Sequence, residues 1–119
     1  MVSNDLRERT KNFALRIIRL SASLPDTLEA RTIGKQILRS GTSVGAQYRE
    51  ACRAKSDSDY LSKIGGALQE LDESDYWLEL LCESGTVSKQ LLEPLMNETN
   101  ELLAIFTTIA KKLKTKLGK

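Results

Sequence analysis

Arg39-Ser40-Gly41-Thr42-Ser43-Val44-Gly45-Ala46-Gln47-Tyr48-Arg49-Glu50-Ala51-Cys52-Arg53-Ala54, RSGTSVGAQYREACRA, admits two readings. Glycine, serine and arginine together can form a loop whose backbone amides cradle phosphate, or they can belong to one helix packed closely on its neighbours. A Walker-type loop follows a buried strand and ends in Gly-Lys-Ser/Thr, so that the lysine reaches the phosphates. Neither the strand nor that lysine is present. Wound at about 100° per residue, the stretch and its upstream flank sort into three stripes. Ile33, Ile37, Val44, Tyr48 and Ala51 form a core face, and beside them Gly34, Gly41, Gly45 and Cys52 form a stripe of small residues that lets a neighbouring backbone come close. Arg31, Lys35, Arg39, Arg49 and Arg53 lie opposite the core face. Each mid-helix glycine costs about 1 kcal/mol relative to alanine, so a helix here requires compensating close packing. The helical reading extends from about Asp26 to Ala54.

Outward from that helix, the same periodicity recurs. Leu6, Phe13, Ile17, Leu20 and Leu24 predict an amphipathic helix over residues 5 to 23, with Ser3 or Asn4 as its cap. Pro25 disfavours helix in the residue before it, which predicts a break at Ser23-Leu24-Pro25-Asp26. Ser56, Asp57 or Ser58 can cap a third helix carrying Tyr60, Ile64, Ala67, Leu71, Leu78 and Cys82 on one face, and Gly85 follows as a left-handed stop. Thr86 or Ser88 opens a fourth, with Leu95, Leu102, Ile105, Phe106, Ile109 and Leu113; Pro94 predicts an irregular first turn or a kink. Four helices joined by short turns return antiparallel, so the expected fold is all-α: one domain over residues 1–119, an antiparallel up-and-down four-helix bundle.

Composition narrows the chemistry. The chain has 119 residues, 40% of them hydrophobic and 29% charged, and no histidine. The last fact removes Ser-His-Asp triads, imidazole general bases and the His-based metal sites of helical bundles. Cys52 and Cys82 form no CxxC pattern and read as small packing residues. No cofactor or metal is expected, and no enzyme activity. The longest apolar runs are too short to span a bilayer, and MVSNDLRERTKNF carries charges where a signal peptide needs an apolar block. The expected location is cytoplasmic.

The text QILRSGTSVGAQYREACRAKSDSDYLSKIGGALQELDESDYWLELL, residues 36 to 81, resembles a four-helix-bundle family that includes proteins encoded within intervening sequences of bacterial 23S ribosomal RNA genes, sometimes labelled S23. The elements that carry the resemblance are Arg39 through Ala46, Arg49-Glu50-Ala51, Arg53-Ala54-Lys55-Ser56, Asp59-Tyr60 and Tyr76 through Leu81. Where the family commonly carries asparagine two residues before Arg-Glu-Ala, this chain has Gln47, an amide one methylene longer. The resemblance implies a four-helix protomer, assembly as a homopentameric ring and no catalytic activity. Distant look-alikes, the accessory proteins of diversity-generating retroelements, use a basic pentamer surface to bind nucleic acid and a reverse transcriptase.

Net charge is only +2, but the charges are segregated. Residues 31 to 55 hold Arg31, Lys35, Arg39, Arg49, Arg53 and Lys55 against one acid, Glu50; residues 70 to 83 hold Glu70, Asp72, Glu73, Asp75, Glu79 and Glu83 and no base. Beyond Glu101 come Lys111, Lys112, Lys114, Lys116 and Lys119 and no acid. The second-helix cations, with Lys111, Lys112 and Lys114, are candidate phosphate contacts for RNA or DNA; equally, they can pair with acids of the third helix or complement a helix C-terminus. Gly41, Gly45, Tyr76 and Trp77 are candidate oligomer-interface residues. Tyr48, Tyr60, Tyr76 and Trp77 can stack on unpaired bases or fill cores. Arg49 with Glu50 and Glu73 with Trp77 are candidate local pairs, and Asp72, Glu79 and Glu83 share a side that a cation could occupy. Two functions compete: an oligomeric nucleic-acid-binding or accessory protein, and a protein–protein interaction scaffold with no nucleic-acid role.

Overall fold

The computed structural model describes residues 2–119, with side chains from Asp5 onward, so the caps expected at Ser3 and Asn4 lie outside the described side chains. Four helices account for nearly all of it: α1 (Val2–Ser23), α2 (Leu28–Cys52), α3 (Asp57–Glu83) and α4 (Lys89–Lys116), with no strand among the described residues. Helices this long extend roughly 33–42 Å at about 1.5 Å per residue, and the molecule measures 47 × 24 × 20 Å. Each helix therefore runs nearly the full length of the molecule and folds back on its predecessor. α1 packs on α2, α2 on α3 and α3 on α4, whereas α1 and α4 barely touch and α1 and α3 lie diagonally.

The helix boundaries follow from hydroxyl caps. Thr27, Ser56 and Ser88 each accept the backbone N–H three residues on, from Ala30 at 3.1 Å, Asp59 at 3.0 Å and Leu91 at 3.4 Å, a contribution of about 1 kcal/mol each. α2 thus starts after Thr27 rather than at Asp26. Gly85, at φ 75°, ends α3 in the left-handed conformation that glycine adopts without steric cost. Pro94 lies inside α4 on an exposed position, and the helix continues through it. Ser88 caps the helix, so Pro94 falls in its second turn rather than its first.

Between the helices lies one core, in which Leu6, Phe13, Ile17, Ile37, Val44, Tyr48, Ile64, Leu71, Leu78, Leu92, Leu102 and Phe106 are all buried. The rings of Tyr48 and Phe106 meet edge to face across the bundle diagonal, 5.6 Å between centroids, a favoured aromatic geometry. Two buried hydroxyls, Ser40 on α2 and Ser74 on α3, sit 2.9 Å apart, and Ser74 Oγ donates to the Glu70 carbonyl at 2.9 Å. Ser40 Oγ also lies 3.4 Å from the Ile37 carbonyl, so each buried hydroxyl has an acceptor on its own helix as well as its partner across the α2–α3 seam.

The small-residue stripe of α2 faces α1 of the same chain. A Cβ added at Gly41 would lie 2.7 Å from Ile17 Cγ1 and 2.8 Å from its Cγ2, and one at Gly45 would lie 3.2 Å from Thr10 Oγ1. Gly41 is buried. It has no surface to offer a second copy, so its expected place in an oligomer interface is corrected to the α1–α2 seam, and Gly45 packs on that seam as well. A second close approach, on α3, went unread in the sequence: a Cβ at Gly66 would lie 2.8 Å from Gln47 Oε1. The longer amide at position 47 thus reaches across and covers Gly66.

Candidate functional site

The basic stripe divides once its neighbours are in place. Arg39 hydrogen-bonds Glu70 at 3.2 Å and also Glu73, both on α3, and Arg31 pairs with Asp26 in the preceding turn. These two arginines meet acids of their own chain. Lys35, Arg49, Arg53 and Lys55 are exposed, and so are Lys111, Lys112 and Lys114. Among the described residues no acid comes within ion-pair distance of these seven. The expected local pairs are exchanged: Glu50 is engaged by Lys63 Nζ at 2.8 Å rather than by Arg49, and Glu73 by Arg39 rather than Trp77.

Antiparallel packing gathers most of the unpaired cations at one end of the molecule. Lys116 Nζ reaches Asp57 Oδ2 at 2.8 Å, which ties the last turn of α4 to the first turn of α3. The last turn of α2 and the connection to α3 lie at that same end, so Arg49, Arg53 and Lys55 share it with Lys111, Lys112 and Lys114. Lys35 stands apart, near the other end. The linear charge pattern could not reveal this grouping, because it joins residues some sixty positions apart. Lys116 and Lys63 both have raised pKa values from hydrogen bonds to Asp57 and Glu50, which marks these two as internally committed cations.

The aromatic residues separate in the same way. Tyr48 is buried, so it is a core residue rather than a stacking platform, and burial followed by proximity to Cys52 pushes its phenol far above the ordinary range. Tyr60 is half-buried and shifted upward for the same reasons. Trp77 packs on the protomer's own core with its indole Nε1 sealed from solvent and without an acceptor. It packs within the chain while part of its ring stays exposed on α3 beside Tyr76. Tyr76 remains 52% exposed, its ring 5.1 Å from that of Trp77. Cys52 is exposed rather than packed, and Cys82 is half-buried.

Two contacts that the sequence did not suggest complete the electrostatics. Arg9 on α1 donates to Glu98 at 2.6 Å and Glu101 at 3.0 Å on α4, spanning the seam where those helices otherwise hardly meet. Its pKa is raised, chiefly by the hydrogen bond to Glu98. On α3, burial and the neighbouring Asp72 raise the pKa of Asp75. Among the described residues, no group of three or more histidine, cysteine, aspartate or glutamate side chains converges to hold a metal ion, the Asp72, Glu79 and Glu83 side of α3 included. Among the described residues, no helix is long and apolar enough to cross a membrane.

Comparison with known proteins fits this architecture. No curated protein matches the chain. Among solved structures, a protein of unknown function from the S23 ribosomal protein family of Bacteroides thetaiotaomicron VPI-5482 is 37% identical, superposes with a TM-score of 0.87, and the match covers 93% of this chain and 99% of that one. The family model for the 23S rRNA-intervening sequence protein matches residues 3–108. That match spans all of α2 and α3, including the arginines, glycines and aromatics discussed above, and the chain belongs to the 23S rRNA-intervening sequence protein family.

Proposed function

We propose that the protein is a non-enzymatic, homo-oligomeric accessory protein that binds nucleic acid through its basic end, with the protomers arranged as a ring, a pentamer by the family resemblance. The observation that carries this reading is the set of exposed, unpaired cations Arg49, Arg53, Lys55, Lys111, Lys112 and Lys114 at one end of the bundle. Exposed cations without acidic partners attract phosphate and release its counterions. Repetition around a ring raises the effective concentration of each weak contact. Arg31 and Arg39, being paired within the chain, contribute less than their place in the stripe suggested, and Lys35 lies remote from the cluster.

Fluorescence anisotropy with structured RNA, single strands and duplex DNA tests the reading. Binding should weaken steeply with salt, and Arg49→Glu with Arg53→Glu should abolish most of it, whereas Arg39→Glu should have a smaller effect. Each lost phosphate contact should lower the salt slope by about 0.9 on duplex and about 0.7 on single strands. Salt-insensitive binding, or none by the assembled protein, would refute it. A second reading, the protein–protein scaffold, draws on the exposed apolar side chains Leu15, Ile18, Leu38, Tyr76 and Leu91; a stoichiometric protein partner that survives nuclease treatment would favour it.

A further inference from the structure

Two outward faces of the protomer carry opposite charge around an apolar centre. On α1, Lys11, Leu15, Ile18 and Arg19 project away from the core, with Leu15 42% and Ile18 43% exposed. Beyond Glu8 this helix has no acid, and the Lys11 contact to Glu8 is a single exposed pair at 3.5 Å, of a kind that contributes little. On α3, Asp72, Tyr76, Glu79 and Glu83 project outward, with Tyr76 exposed at the centre and no basic partner for the three acids among the described residues. The stripes extend roughly 12 and 16 Å at about 1.5 Å per residue, so the α1 stripe fits within the length of the α3 stripe.

These faces cannot satisfy each other within one protomer, because α1 and α3 are diagonal partners that do not touch. A two-fold contact would use one face twice and set like charge against like. A head-to-tail contact satisfies both faces. We infer that the α1 stripe of Lys11, Leu15, Ile18 and Arg19 docks on the α3 stripe of Asp72, Tyr76, Glu79 and Glu83 of a second copy of this chain. Leu15 and Ile18 cover Tyr76, and the cations meet the acids around them, an apolar centre within a charged rim. This names the surfaces of the assembly put forward above and rests on that reading. It also leaves the basic end of every protomer facing solvent.

Sedimentation velocity of the full chain without nucleic acid, at micromolar concentration, tests the contact. Lys11→Glu with Arg19→Glu, and separately Glu79→Lys with Glu83→Lys, should each reduce the assembly to the 13.3 kDa protomer. Far-UV circular dichroism should show unchanged helicity. Combining all four changes in one chain exchanges two charges on each face, leaving Asp72 as the one unreversed acid, and should restore assembly, which a mere folding defect could not do. A monomeric wild-type protein, a one-sided reversal that leaves the oligomer intact, or a four-fold variant that stays monomeric would each overturn the inference. Absence of nucleic-acid binding by an oligomer that responds as described would refute the proposed function alone.

Discussion

Replacing Gly41 by alanine tests the packing of α1 on α2 with a single methyl group. The added Cβ would lie 2.7 and 2.8 Å from the two γ carbons of Ile17 and 3.1 Å from its Cβ, against an optimal carbon separation of about 3.5–4.0 Å. The obstacle is the branched root of a fully buried side chain, so no rotamer change relieves it and the helices must part. Overpacking of this kind costs about 1–3 kcal/mol, and the overlap of nearly 1 Å places Gly41→Ala toward the upper end. Alanine returns about 1 kcal/mol of helix propensity, so the net loss is about 2 kcal/mol.

Gly65, inside α3, has no atom within 4 Å of its would-be Cβ, so Gly65→Ala keeps the propensity gain of about 1 kcal/mol. At about 4 °C per kcal/mol for a domain of this size, Tm should fall by about 8 °C in one variant and rise by about 4 °C in the other. Thermal and urea unfolding by circular dichroism, at one fixed protein concentration because assembly also stabilises, reads both. Adding Ile17→Ala should remove the two closest contacts and leave only the 3.1 Å approach to its Cβ, so that the double variant is less damaged than the two single losses summed, by about 0.5–3 kcal/mol. A Gly41→Ala protein as stable as wild type, or additive losses, would refute the tight α1–α2 seam.

Alkaline unfolding should begin near pH 10. Tyr48 and Tyr60 have folded pKa values above the unfolded value of about 10, so their contribution is intact below that pH and is lost as pH rises through it; Tyr48→Phe with Tyr60→Phe should flatten the urea midpoint across that range. Asp75 has a raised pKa, so its ionised form is the less favourable one in the folded chain. Asp75→Asn should raise Tm at neutral pH, and the advantage should vanish below about pH 4, where the unfolded aspartate is also protonated. Arg39→Ala removes contacts to Glu70 and Glu73 on a half-exposed surface. Its stability loss should be no more than about 1 kcal/mol and should shrink as salt rises. An unfolding curve with a larger, salt-independent loss would point to a structural role beyond ion pairing.

The number of helices, their order and their inward faces were legible in the sequence because the 3.6-residue period repeats over long segments and hydroxyl caps and Gly85 punctuate it. Phe13, Ile17, Ile37, Val44, Ile64, Leu71, Leu78 and Phe106 all lie in the core. The close packing demanded by Gly41 was legible too, but its partner was not. Helical angle says which way a residue points, while only assembly of the bundle reveals that Ile17 and Thr10 of the same chain stand there. Trp77 is a similar case, since only the assembled bundle reveals that its indole nitrogen is sealed from solvent by the chain's own packing. The charges depended most on tertiary structure. An arginine's reach exceeds the spacing between helices, so Arg39 finds acids thirty positions away, and the antiparallel return of α4 brings Lys111, Lys112 and Lys114 to the end that holds Arg49, Arg53 and Lys55. Sequence by itself determined how much charge each helix carries; packing decided which of those charges are spent inside the chain and which remain free to meet another molecule.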